Sequence, residues 1–242
     1  MRLTRVYTDT LIKLDEALDL PQDASHHLGR VLRLRPDHNI QVFNGRGGYY
    51  TARIMAVGKR GVTVLPLEHV VEERESSLLI TLGQGISRGQ RMDYTIQKAV
   101  ELGVSSIVPL VTEFSNVRLD EERSSKRQTH WQSIVIHACE QCGRTRLPEV
   151  AAPRPFGEWF GSAAAGHKLM LAPAAGKTLK QLAPQQSCVL LAGPEGGFSE
   201  GEAAAAIAAG YEVVTLGPRV LRTETAAVAA LAAIQALWGD LG

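Results

Sequence analysis

The sequence predicts an α/β fold preceded by a small β-rich lobe, and three observations carry that reading. Residues 189–202 (VLLAGPEGGFSEGE) and 213–226 (VVTLGPRVLRTETA) each begin as a short β-branched or leucine-rich strand and stop at Gly-Pro. Each then passes through a glycine- or arginine-bearing loop into an alanine-rich helix. Residues 168–172 form a third strand that stops in the same way, at Pro173. Up to Val71 the pattern changes to short alternating segments between turns. In an open α/β sheet ligands bind outside the carboxyl ends of the strands, so the three loops after residues 172, 192 and 215 are expected to line one crevice.

The N-terminal lobe reads as strands within 17–21 (ALDLP), 39–58 and 61–71. Alternation over 41–43 and 49–54, with NGRGG between them, predicts a hairpin and a small β-barrel-like domain. His26, Arg30, Arg33 and Arg35 fall in a helix and its exit. Val31, Leu32 and Leu34 are expected to supply its apolar contacts, with His26 and Arg30 sharing a face. The acidic stretch 68–77 reads as the linker that closes the lobe, giving domains at 1–72 and 73–242.

In the second domain a strand over 78–82 precedes GQGISRG, one residue off a GxGxxG fingerprint. MDYTIQKAVELG then predicts an amphipathic helix presenting Ile96, Ala99, Val100 and Leu102 to the core, with Gly103 as its stop. Ser199 with Glu202 forms a capping box for a helix that ends at Gly210. Thr223 is expected to cap the last helix, with Glu224 in its first turn.

Composition sets limits. Hydrophobic content is 45% without a long apolar run, which argues against a transmembrane span, and the start lacks the apolar core of a signal peptide. Three cysteines, an odd number, fit a reducing cytosol rather than a disulfide framework. Cys139 and Cys142, with His137 nearby, lack the second ligand pair of a zinc site, so no metal is expected. The net charge of +1 hides an asymmetry: residues 1–60 hold ten Lys or Arg against six Asp or Glu. A basic lobe of that kind attracts phosphate.

The loops are chemically specific. Proline after Gly193 and Gly217 removes an N–H, while Gly196 and Gly197 permit positive φ and close approach to bare backbone. GPEGG at 193–197 and LGPRVLRTETA at 216–226, with HHLGRVLRL at 26–34, the run 82–104 and ACEQCGR at 138–144, resemble the RsmE family of SPOUT-class RNA methyltransferases. The likeness covers nearly the whole chain. It implies a trefoil-knotted, mostly parallel sheet with helices on both faces, a PUA-like N-terminal RNA-binding β-barrel, S-adenosylmethionine as cofactor and a homodimer. The implied activity is methylation of N3 of a decoding-centre uridine in small-subunit ribosomal RNA, in the cytoplasm.

On that resemblance the expected cofactor residues are Leu171, Ala172, Gly193, Pro194, Glu195, Gly196, Gly197, Leu216, Gly217, Pro218, Leu221, Arg222, Thr223 and Ala226. Arg222, and after it Arg219, is expected to favour the uridine anion, with Glu195 or Glu224 as proton acceptor. RNA contacts are expected from Arg2, Arg5, His26, Arg30, Arg33, Arg35, Arg88 and Arg91. Val228, Leu231, Gln235 and Trp238 make a helical stripe for the dimer. Two alternatives stay open at this point. One is a nucleotide-dependent oxidoreductase binding through Gly83, Gly85 and Gly89; the other is a non-catalytic RNA-binding factor.

Overall fold

The computed structural model describes residues 3–115, 121–159, 166–173 and 176–242, so Arg2 lies outside the described residues. The chain divides into two units, Met1–Glu75 with Cys139–Leu147, and Ser76–Ala138 with Pro148–Gly242.

The first unit holds β1 (Arg5–Tyr7), β2 (Leu18–Asp19), β3 (Asn39–Phe43), β4 (Tyr49–Gly58) and β5 (Gly61–Val70), in the sheet order β1-β3-β4-β5-β2. The expected hairpin joins β3 to β4, and Gly45, Gly47 and Gly48 in its loop all take positive φ. Register shifts at Thr51/Ala52 and Ile54/Ala56 bend β4, as bulges do. Period-two alternation puts Ile40, Val42, Ala52, Ile54 and Val64 in one core.

Helix α1 (Gln22–His26) continues into a π-helical turn, His27–Val31. Its anchor is Leu28, which is fully buried, while Val31 and Leu32 are 58% and 40% exposed. The expectation that those two pack inward is therefore corrected. The chain turns out of the helix at Arg33, where φ is 52°.

The acidic stretch is only partly a linker, because β5 runs on to Val70. Its later glutamates hold arginines: Glu75 pairs with Arg144, and Glu73 with Arg146 at 3.0 Å. Glu140 accepts the Tyr7 N–H at 3.0 Å. The ACEQCGR block, which begins in the last turn of α3 (Glu121–Cys142), thus contributes to the first unit, and Cys139 is buried there with its thiol pushed up to about 12 by desolvation.

In the second unit β6 (Leu79–Gly85), β7 (Ser106–Val111), β8 (Glu149–Val150), β10 (His167–Leu171), β11 (Ser187–Ala192) and β12 (Glu212–Val214) pair in parallel. Their order is β12-β10-β11-β6-β7-β8, and β9 (Arg154–Pro155) also pairs with β7. Val189 and Leu191 of β11 cluster with Phe156 and Trp159 of α4 (Phe156–Trp159) and Ala206 of α5 (Glu200–Ala208). Leu190 points to the opposite face, where α6 (Thr223–Trp238) meets β11 and packs on α2 (Gln90–Glu101).

Strand β6 does not stop at Leu82 but runs on through Gly85, so the GxGxxG-like run is no phosphate-cradling loop. A side chain at Gly83 would come 2.6 Å from the Trp159 ring, and one at Gly85 would meet Pro194. Those glycines serve packing, which removes the basis for the oxidoreductase reading. In α2, Ile96, Ala99 and Val100 are buried as expected, whereas Leu102 is the half-buried C-cap.

Helix α6 corrects two further expectations. Arg222, not Thr223, is its N-cap, and the Thr223 hydroxyl is committed to the Gly193 carbonyl. Leu231 and Gln235 are fully buried within their own unit. Gln235 donates to the Leu102 carbonyl at 3.0 Å and accepts from the Ser76 hydroxyl at 2.8 Å. The proposed dimer stripe is therefore half consumed internally, with Val228 and Trp238 left half-buried.

The capping box of α5 is complete: the Glu202 N–H donates to Ser199 Oγ at 3.3 Å, and the Ser199 N–H to Glu202 Oε2 at 3.0 Å. Ser199→Ala should lower the stability of the second unit by about 1 kcal/mol. Urea unfolding followed by circular dichroism checks this, and an unchanged midpoint would show that the cap contributes nothing.

Candidate active site

Three strand-end loops line a cavity of ≈ 670 Å³. Leu171 ends β10 and Ala172 and Pro173 follow it, residues 193–197 follow β11, and Thr215, Leu216, Arg219, Val220, Leu221 and Arg222 lie between β12 and α6. Thr223, Glu224 and Ala226 line it from the first turns of α6. Of the residues expected to hold a cofactor, only Gly217 and Pro218 stand outside the lining, although both belong to the β12–α6 loop. Met170, Phe198, Ala203 and Val214 complete the apolar wall. Sequence reasoning missed them because they read as ordinary core positions.

The last two glycines of GPEGG have different uses. Gly197 takes φ of 72°, as Gly217 takes 91°. Gly196 does not take positive φ; its need is spatial, since a Cβ there would stand 2.8 Å from Phe114 Cβ.

A buried polar joint fixes the loops to each other. Thr223 Oγ1 donates to the Gly193 carbonyl at 2.6 Å. Gln84, fully buried at the end of β6, donates through Nε2 toward Thr223 Oγ1 at 3.2 Å, Gly85 O at 3.0 Å and Gly193 O at 3.3 Å. Ser87 Oγ lies 3.4 Å from Thr223 Oγ1. Gln84 was not singled out from sequence; a lone amide between two glycines of an apolar strand was the available signal.

At the rim, Glu195 accepts the Arg88 N–H at 2.9 Å and Arg91 Nη1 at 2.8 Å. Burial raises the Glu195 pKa, but these hydrogen bonds and the Arg91 charge outweigh it and hold the carboxyl below its ordinary value. Arg91 Nε also stands 3.8 Å from Glu224 Oε2, an oxygen that is buried without a hydrogen-bond partner. Arg91, expected to contact RNA, bridges two walls of the cavity while its side chain stays 43% exposed. Arg219 and Arg222 are exposed, and neither guanidinium forms an ion pair among the described residues.

The RNA methyltransferase domain family matches residues 74–235, and the RNA methyltransferase PUA domain family matches residues 20–67. The ribosomal RNA small subunit methyltransferase E of Buchnera aphidicola (Schizaphis graminum) is 36% identical, over 99% of this chain and 98% of its own. The chain belongs to the RsmE family of ribosomal RNA methyltransferases. The RsmE structure from Neisseria gonorrhoeae, bound to S-adenosylmethionine, is 41% identical, with a TM-score of 0.92 over 100% of both chains. A Legionella pneumophila structure with the same bound cofactor is 40% identical, with a TM-score of 0.97 over 100% of both chains.

Within this RsmE chain His26, Arg30, Arg33 and Arg35 are exposed in the PUA unit, and Arg88 is exposed in the other unit. Arg5 is corrected: it is 7% exposed, with its guanidinium over the Phe43 and Tyr49 rings, so it stands inside the unit and away from any surface phosphate.

If Arg91 and Glu195 brace the GPEGG loop, Glu195→Gln should speed amide exchange at Gly196 and Gly197 by about 2- to 5-fold, the worth of a partly exposed ion pair. A group with a depressed pKa contributes above its unfolded value and loses that contribution as pH falls through its folded value. The wild type should therefore show the same loosening only at acid pH, below the ordinary glutamate range. Equal exchange in wild type and variant at neutral pH would contradict the brace.

Proposed function

We propose that this protein methylates N3 of a decoding-centre uridine in 16S ribosomal RNA, using S-adenosylmethionine held by the three strand-end loops. The observation that carries the reading is the cavity itself, in a chain whose 41%-identical RsmE relative binds that cofactor. Its residues fit the group. Leu171, Leu216, Leu221 and Ala226 offer apolar contact for an adenine, and the 193–197 loop offers backbone edges with little side chain in the way. Gly193, Pro194, Gly196, Gly197, Ala172 and Thr223 complete the holding set, with Gly217 and Pro218 shaping the third loop. When bound, S-adenosylmethionine supplies a methyl group activated by its sulfonium.

The protein's own task is to make uridine N3 nucleophilic and to aim it. N3 carries a proton, and its electrons are conjugated into the ring, so the proton leaves before or during transfer. Arg222, exposed at the cavity between the last strand and the last helix, stabilises negative charge on a uracil carbonyl oxygen, and Arg219 is the second cation available there. Glu195 is a poor proton acceptor, because Arg88 and Arg91 already hold its carboxylate in the ionised form. Glu224, with one oxygen lacking a hydrogen bond, is the better acceptor of the two. Alignment of the two reactants supplies much of the remaining barrier reduction.

His26, Arg30, Arg33 and Arg35 of the first unit bind RNA phosphates in this reading, and Arg88 of the second unit also binds RNA. The same reading includes the trefoil-knotted path through β10, β11 and β12, a homodimer and a cytoplasmic site of action. The last agrees with the absence, among the described residues, of any helix long and apolar enough to cross a membrane.

Arg222→Ala should lower single-turnover methyl transfer by a factor on the order of 10² to 10³, as for loss of one preorganised oxyanion donor, with cofactor affinity little changed. Raising pH should partly restore the variant, since more uridine is then already deprotonated. Single-turnover rates against pH, with cofactor titration alongside, test this. A variant with normal chemistry but lost cofactor binding would overturn the assigned role.

A further inference from the structure

Phe114 lies in the turn that leaves β7, and 44% of it is exposed. A single exposed phenylalanine is ordinary; two features set this one apart. The first is that its turn is pinned. The Thr112 N–H donates to Ser115 Oγ at 3.1 Å, the Ser115 N–H returns to the Thr112 carbonyl at 3.0 Å, and the Glu113 N–H donates to Glu202 Oε1 at 2.9 Å. The second is that the cavity's own loop makes room for it. A side chain at Gly196 would reach 2.8 Å from Phe114 Cβ, 3.3 Å from Cγ and 3.5 Å from Cδ2.

Gly196 lines the cavity, and Phe114, which is not itself among the lining residues, lies against that glycine with part of its surface in water. The β12–α6 loop of the same cavity carries the exposed Arg219 and Arg222. A flat apolar surface against one loop of a cavity whose other loop carries guanidinium groups matches the chemistry of a nucleotide, whose base has a π-face and whose phosphate is anionic. A base that must enter a pocket also leaves its own stacking neighbours, and an aromatic side chain offers a replacement.

We propose that Phe114 stacks on a nucleobase of the RNA substrate at the mouth of the cavity. This rests on the methyl-transfer reading above and adds a substrate-positioning residue to it.

The test uses the full-length protein with Phe114→Ala, Phe114→Leu and Phe114→Trp, and small-subunit ribosomal RNA as substrate. Phe114→Ala should raise the KM for RNA by roughly 5- to 100-fold, the range for losing one base–aromatic stack, with S-adenosylmethionine affinity and solution mass unchanged. Phe114→Leu should be nearly as impaired, since it keeps apolar bulk without a flat face. Phe114→Trp should restore the KM, and its emission, after subtraction of the wild-type signal, should be quenched when RNA is added. Full activity of Phe114→Leu would overturn the proposal, as would a fall in cofactor affinity matching the fall in RNA affinity. A lower solution mass for Phe114→Ala would overturn it in favour of contact with a second copy. Absence of methyl transfer by the wild type, with the Phe114→Trp emission still quenched by RNA, would sink the reaction and leave the stacking contact standing.

Discussion

The hydroxyl of Thr223 donates to the Gly193 carbonyl at 2.6 Å, with the Gln84 amide beneath both, and the placing of the cavity walls depends on this contact. Gly193 begins the loop after β11 and Thr223 begins the last helix, so one buried hydrogen bond sets the separation of two loops that are 30 residues apart in sequence. A net hydrogen bond is worth about 1 kcal/mol, but a buried group left without its partner costs about 1–3 kcal/mol. The joint is therefore a constraint as much as a source of stability. With β6 running to Gly85, and Gly85 bare enough for Pro194 to lie against it, there is no slack beneath the loops.

Above this joint the charges divide their work. Arg91 is bound to Glu195 and near Glu224, which leaves Arg219 and Arg222 as the cations of the cavity that hold no ion pair among the described residues. Opposite charges matched across the rim brace the loops, while the guanidinium groups without ion pairs remain available to an anionic ligand. Such a division makes Glu195 a structural carboxylate. Its depressed pKa follows from the same contacts that hold the loop.

Much of the fold and most of the cavity were legible in the sequence, because Gly-Pro stops, a capping box and alternating strands are local signals. The hairpin, the α5 cap and the loops after β10, β11 and β12 follow from neighbouring residues alone. What was not legible depended on long-range packing. Nothing local says that Arg5 would lie over two aromatic rings, or that Arg91 would turn from solvent to Glu195. The GQG run resembles a phosphate loop until Trp159 and Pro194, distant in sequence, occupy the space that its glycines leave. Thr223 has the chemistry of an N-cap, yet it stands one residue inside the helix and its hydroxyl donates to the Gly193 carbonyl.

The central claim is that these loops serve methyl transfer to a uridine of small-subunit ribosomal RNA. Its most direct test is incubation of the purified protein with small ribosomal subunits from a strain lacking the enzyme and with methyl-labelled S-adenosylmethionine, followed by mass spectrometric mapping of the RNA. The account predicts one labelled nucleotide, a uridine carrying the methyl group on N3. Label on a ribose or on another base, or no label despite cofactor binding, would contradict it.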